Sequence, residues 1–305
     1  MIHGTEPAAV GKDANVPSAP PKRRRSTPHS SATLGQRADG IADLIAITRP
    51  LTARSVLASA LLGAREPRLP VADLIVTTSL LGISPGAART CLWRMVSNGE
   101  LTTDNATYAL AGHLLERRHR IDDAAHPEHA THDHWNGTWE VAVVSLERRP
   151  ATERLELRKA ATALHLAEIR EGVWTRPDNL DPDRLPSSRA VLDQQCTQFH
   201  SARSEIAVDT ARSLFPLETW SSDARRLTVA MNAELDAGPP NSHEANETLT
   251  YHFALSIAVV RHLQLDPLLP VELLPDDWPG DDLRSTYRAF DNAFKRQLGI
   301  AQRAI

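Results

Sequence analysis

Residues 84–101 read SPGAARTCLWRMVSNGEL, and the fold of the first third of the chain follows from their arrangement. Ser84 is of the residue types whose side-chain oxygen accepts from the free N–H groups of a first helical turn, and Pro85 follows where a missing N–H is no loss. At about 3.6 residues per turn, Ala88, Cys91, Leu92, Met95 and Val96 share one side of the helix. Arg89, Thr90, Trp93 and Arg94 share the other. A short helix that is apolar on one side, basic and hydrogen-bonding on the other, has the form of a recognition helix that lies in a DNA major groove. Asn98 and Gly99 end it. Residues 100–103 and 106–110 then have strand character on either side of Asp104 and Asn105, which tolerate a tight turn. This hairpin is expected to be a wing. It holds no Lys or Arg, so its candidate DNA contacts are Asn105, Thr107 and backbone N–H groups.

Working outward, LTARSVLASALL (residues 51–62) has helical periodicity and Gly63 at its end, and a second helix is expected over residues 71–81, between Pro70 and Gly82. Three helices with short connections make a helix-turn-helix. A plain helical bundle, with Arg89 and Arg94 merely facing solvent, shares the helical pattern, and the hairpin favours the winged form.

The chain has 305 residues, 41% of them hydrophobic, which suits two or three domains with separate cores. Its net charge of −4 is unevenly spread: residues 1–121 carry 15 basic and 9 acidic side chains, residues 122–305 carry 19 and 29. That asymmetry fits a DNA-facing first part and a second part with other business. Residues 1–40 are rich in Pro, Ser, Ala and Gly, with a basic run at Lys22, Arg23, Arg24 and Arg25, and are expected to be a disordered tail. Two cysteines, Cys91 and Cys196, are too few for a disulfide framework or a thiolate zinc site. No run approaches the roughly 18 apolar residues of a membrane span, and no signal-type segment is present, so a soluble cytoplasmic protein is expected.

Beyond the hairpin, residues 114–121 finish a helix. The following stretch holds His126, His129, His132, Asp133 and His134, ordinary zinc ligands in type, but their spacing straddles Pro127 and matches no single face. It is read as a linker over residues 122–136, with no metal. Residues 139–144 read as a strand, residues 152–165 as a helix, and residues 169–175 and 196–202 as two more strands. Helical patterns cover residues 227–235, 248–263 and 281–298. The last carries Leu283, Tyr287, Phe290, Phe294 and Leu298 on one face.

The segments LTARSVL, ARTCLWRMVSNGEL, HWNGTWEVAVV, EGVWTRP and LDPLLPVELLPDDWPG, in this order, resemble the PaaX family, repressors of phenylacetic acid degradation operons. The resemblance covers residues 50–298 and implies an α+β multidomain protein. Its implied parts are a winged helix-turn-helix over residues 41–121, a central ferredoxin-like domain over residues 137–215, similar to the small CRISPR-associated endoribonuclease, and a helical effector and dimerisation domain over residues 216–305. It also implies a homodimeric repressor of an aromatic-acid catabolic operon, bound to double-stranded operator DNA and released by an aryl-CoA thioester such as phenylacetyl-CoA, with no cofactor, catalytic residue or membrane.

Carried onto this sequence, the family's DNA-reading residues fall on Arg89, Thr90 and Arg94, with Trp93 where a small polar residue is more usual. The proline-rich signature from Asp266 to Gly280 reads as structural. One or two turns before it this chain has Ile257, Val260 and Arg261 where the family often has a His and paired arginines, which leaves Arg261 and His262 as candidate effector contacts. Other readings stay open: a regulator with a non-CoA effector or none, and a metal-dependent nuclease using the central domain, for which Glu140 is the one carboxylate on the first strand.

Overall fold

The structure is a computed structural model and describes residues 40–45, 52–129, 131, 135–146, 148–204, 206–239 and 245–297. The basic run at residues 22–25, His132, Asp133, His134, Leu298 and the side chain of His129 lie outside the described residues. The architecture mixes helices with two antiparallel sheets, in keeping with an α+β chain. No described helix is long and apolar enough to cross a membrane.

After a short α1 (Ala42–Ile45), three helices follow: α2 (Ala53–Gly63), α3 (Val71–Leu80) and α4 (Pro85–Ser97). Thr52 and Ser55 form a reciprocal capping box that opens α2. Leu57 and Leu61 of α2, Leu74 of α3, and Leu92 and Met95 of α4 are buried in one core. Each such side chain contributes roughly 1.5–3 kcal/mol by leaving water. The hairpin pairs β2 (Leu101–Asp104) with β3 (Thr107–Leu110), and α5 (Gly112–Ala125) follows.

Three details here differ from the expectation. The turn is Asn105–Ala106, one residue later than expected, because both residues take a positive φ (46° and 62°) and Asp104 pairs with Thr107. A third strand, β1 (Arg68–Pro70), lies against β3 in the order β1-β3-β2. Three residues ending in proline are too short to show a period. Finally, α5 runs through residue 121 to Ala125.

The middle of the chain runs β4 (Thr138–Val144), α6 (Ala151–Ala163), β5 (Ala167–Arg170), β6 (Val173–Pro177), α7 (Pro186–Gln195) and β7 (Cys196–Arg203). The strands are antiparallel in the order β5-β6-β4-β7. The single strand expected over residues 169–175 is two, folded about Gly172 at φ 77°. The helix α7 was not foreseen, since PSSRAVLDQQ shows no apolar stripe and only Leu192 and Gln195 are buried. Leu157, Ala160 and Ala161 of α6 and Leu192 of α7 cover one face of the sheet. On the other, Trp139 packs with Phe215, Leu217, Leu269 and Leu273.

Four α-helices follow among the described residues: α8 (Val208–Ser213), α9 (Leu217–Ala237), α10 (Ala245–Leu263) and α11 (Gly280–Gln297). The expected apolar stripe of α11 is present, with Leu283, Phe290 and Phe294 buried. The helix α9 begins ten residues before the expected 227, and its first turns bury Leu217, Trp220, Ser221 and Ala224 at helical spacing. Residues 41–45, read as the start of the DNA-facing part, instead pack on the rear helices: Ile41 is buried beside Leu227 and Leu255. Arg226 holds the Gly40 carbonyl and Asp43.

The proline-rich segment between α10 and α11 is fixed from several sides. Asp266 accepts from the Leu268 N–H at 3.0 Å and pairs with Arg284 at 2.5 Å. Leu268 sits at φ 51°, and its carbonyl accepts from Arg176 and Asn179, each at 3.0 Å. Trp278 stacks on Trp220 at 4.3 Å, and Trp220 stacks in turn on His262 at 4.7 Å. Gly280 is required there, since a Cβ would lie 2.6 Å from the Trp278 indole nitrogen.

Candidate nucleic-acid interface

Ser84 caps α4 as its position suggests, accepting from the Ala87 N–H at 3.3 Å. At about 100° per residue, Arg89, Trp93, Thr90 and Arg94 span an arc of roughly 140°, and all four are exposed. Ala88, Leu92 and Met95 occupy the centre of the opposite arc and are fully buried. Cys91 and Val96, expected inside, fall at its two edges and are only half-buried. Trp93 is 69% exposed, a large apolar area left in water. Among the described residues no carboxylate ion-pairs with Arg89 or Arg94, so both guanidinium groups keep their donors for another molecule.

The hairpin stands beside this helix. Asn105 is exposed at its tip and Thr107 half-buried on its central strand. The carbonyl of Ala106 accepts from the Val71 N–H at 2.8 Å, so the tip is tied to the start of α3. The strand β1 brings the exposed Arg68 onto the same sheet, opposite Ala109. A three-residue strand carried no sequence signal that would have found this cation.

The junction between α4 and the hairpin is braced by Glu100, which is buried and takes a forked contact from Arg54 of α2, with Nε at 3.1 Å and Nη2 at 2.6 Å. The hydrogen bonds from Arg54 hold the Glu100 carboxyl below the usual carboxylate range, against the opposing effect of burial. A depressed pKa gives stability that is complete above the unfolded-state value near about 4.3 and is lost as pH falls through the folded-state value. Arg54 is half-exposed, which screens the pair. Glu100→Gln is therefore expected to cost about 1 kcal/mol at pH 7. In urea melts the gap between variant and parent closes below about pH 4; a constant gap across that range contradicts the assignment.

The other candidate residues are dispersed. Arg261 is exposed near the end of α10, where its charge, with those of Arg120 and Arg54, adds to burial in lowering the pKa of Arg117. His262 points inward. Its Nε2 lies 3.0 Å from the Trp220 carbonyl, and burial lowers its pKa. The two neighbours in sequence therefore face different surroundings. Of the linker histidines, His126 is exposed, with Nδ1 3.3 Å from the Asp122 carbonyl.

Strand pairing assembles a cluster that spacing could not reveal. Potential ligand atoms of Glu140, Asp178 and His200 lie within 4.8 Å of one another. Its charge is largely answered already, because Glu140 is held by Arg189 and Asp178 accepts from the Ser201 N–H at 2.7 Å.

Three family models match the chain in succession: PaaX-like protein at residues 52–114, PaaX protein central Cas2-like domain at residues 132–212, and PaaX-like protein C-terminal domain at residues 218–301. A solved structure, the uncharacterized protein Rv0674 from Mycobacterium tuberculosis, is 36% identical, with a TM-score of 0.62 over 82% of this chain and 99% of that one. No curated protein matches.

Proposed function

The chain belongs to the PaaX-like protein family, and from that premise we propose that it is a transcriptional regulator, a repressor that grips operator DNA with α4. The observation that carries this reading is the exposed arc of Arg89, Thr90, Trp93 and Arg94 on a helix whose other side is fully buried. Either arginine can take a guanine edge through two hydrogen bonds, Thr90 can reach a base or phosphate, and Trp93 can cover a thymine methyl. Ser84, engaged as the cap, presents the first turn of α4 to a phosphate.

In this reading the three helices and three-stranded sheet are a winged helix-turn-helix, within residues 41–121. The βαββαβ unit with strand order β5-β6-β4-β7, within residues 137–215, is a ferredoxin-like domain. Residues 216–305 serve effector binding and dimerisation. Two copies related by a twofold axis would read a pseudo-palindrome, and a regulator of this kind works in the cytoplasm. Its effector is an aryl-CoA thioester, which must bind the DNA-free conformation better than the DNA-bound one.

The contact between the two ends of the chain supports such coupling. Val56 of α2 and Leu81 after α3 are buried against Leu249 and Phe253 of α10 and Phe294 of α11. A change in the rear helices therefore reaches the helices that carry α4. The test is a gel shift on the duplex upstream of the chain's own reading frame, with a panel of aryl-CoA thioesters and the matching free acids. Retardation that a thioester reverses and its free acid does not is expected. Retardation that no thioester reverses would leave a regulator without this effector.

The cluster of Glu140, Asp178 and His200 is the observation that favours a second reading, metal-dependent phosphodiester cleavage. Arg189 stands against it, since a guanidinium on the buried carboxylate opposes a bound cation. We read the protein as a non-enzyme. Incubation with RNA and Mg²⁺ is expected to leave the substrate intact.

A further inference from the structure

Two cavities meet behind the DNA-facing helices. The larger, 660 Å³, opens between α5, α6, the start of α7 and the turn after α10. The smaller, 320 Å³, lies between the end of α6 and the start of α9. Thr162, His165 and Gln264 line both, and we infer that the two are lobes of one channel with these residues at its waist.

The lobes differ in chemistry. Arg120, Arg158, Lys159 and Arg184 surround the larger, with Arg184 already paired to Asp123 at 2.8 Å. Its acidic residues are Glu116, Glu156 and Asp266, and Asp266 is already taken by Arg284. The helix α7 begins in this lobe with no side-chain cap, and Ser187 and Ser188 of its first turn line the wall. In that turn Pro186 has no N–H and those of Ser188 and Arg189 bond the Leu185 carbonyl, so the Ser187 N–H and the positive dipole end face an anion. The smaller lobe is mainly apolar and aromatic, walled by Leu166, Phe215, Trp220 and Pro267, with Asp223 and His262 also on its wall. Gln264 lines both, with its side-chain nitrogen closed off from solvent and without an acceptor among the described residues.

We infer that this channel is the effector site and takes one elongated ligand. Phosphate groups lie in the basic lobe, an aryl or apolar acyl end lies against Trp220 and Phe215, and the link between them passes Thr162 and Gln264 at the waist. This is the build of an acyl-CoA thioester, and the inference rests on the regulator reading above, whose effector it locates. Of the two effector candidates expected from sequence, His262 lines the apolar lobe and Arg261 lies outside the channel. Arg120 sits on α5, whose Leu114 and Ile121 pack into the core of the DNA-facing helices. A ligand that draws Arg120 toward Arg158 and Lys159 therefore pulls on the helix that leaves the hairpin.

The test is isothermal titration of the full chain with phenylacetyl-CoA and with adenosine 3′,5′-bisphosphate, a probe of the phosphate lobe alone. Two variants at exposed positions of α6 are compared with the parent, their folding checked by circular dichroism. Arg158→Ala with Lys159→Ala is expected to weaken both ligands about tenfold or more. Thr162→Trp plugs the waist, and is expected to weaken the thioester about tenfold or more while leaving the bisphosphate nearly unchanged. If both variants bind the thioester like the parent, and it still releases DNA, the channel is not the site and the regulator reading stands. If the parent binds DNA but no thioester, the effector reading fails and this assignment with it.

Discussion

Arg176→Met is expected to destabilise the protein by about 3 kcal/mol or more in equilibrium urea unfolding, although it exchanges a charge for an apolar side chain of similar length. Arg176 lies in β6 and is completely buried. Its donors reach four oxygens: the carbonyls of Pro177 and Leu164 at 3.0 Å, the Asn179 amide oxygen at 2.8 Å and the Leu268 carbonyl at 3.0 Å. None of these is a carboxylate. Burial pushes its pKa down to about 9, against the favourable charge of Glu140.

Two effects of opposite sign compete in the variant. Removing the guanidinium ends the cost of desolvating a charge, while leaving the Leu164 carbonyl and the Asn179 amide oxygen without their donor, each at about 1–3 kcal/mol. The Pro177 and Leu268 carbonyls lose one donor but keep the Asn179 N–H and side-chain amide. Two orphaned acceptors and two weakened ones outweigh one relieved charge. The proline-rich segment should feel the loss, since Leu268 is held at a positive φ and its carbonyl is tied to β6 by Arg176. Arg176→Lys should recover little, because one ammonium cannot span the fork. A loss below about 1 kcal/mol would mean that water satisfies these oxygens and that Arg176 does not anchor the proline-rich segment.

Why some of this molecule was legible in its sequence and some was not can be seen residue by residue. The helix α4 was readable because Ser84 and Pro85 mark its start and its apolar residues repeat at helical spacing. The stripe of α11 was readable for the same reason. Strand β1 and helix α7 were missed because neither shows a period: one has three residues, and the other buries only two of its ten. Without α7 and the Gly172 turn, the central unit read as βαββ; with them it is βαββαβ.

Charge explains the other omissions. An arginine in a strand is expected to face water, so nothing in EGVWTRP marks Arg176 as the residue that joins the sheet to a loop 92 positions away. The channel draws on residues from 116 to 268 that share no motif, and only folding brings them to one wall. The exposed arc of α4, by contrast, is local to one helix, and local features are what a sequence displays.

The double replacement Arg89→Ala with Arg94→Ala is expected to have the largest effect on DNA binding. Each arginine that reads a guanine edge is worth about 1–3 kcal/mol of discrimination, so the pair is worth about 2–6 kcal/mol, a loss of roughly 30-fold or more on the operator. Stability should barely change, because both side chains are exposed and the buried face of α4 is untouched. Random DNA responds differently: there the two arginines contribute only attraction to phosphate, which lowers affinity modestly and reduces the salt dependence.

The deciding measurement is fluorescence anisotropy of parent and double variant on the duplex upstream of the chain's own reading frame and on a random duplex of equal length, at one fixed salt concentration. The predicted result is a loss on the upstream duplex far larger than on the random one. Equal losses on both, or no loss on either, would mean that the exposed side of α4 does not read DNA.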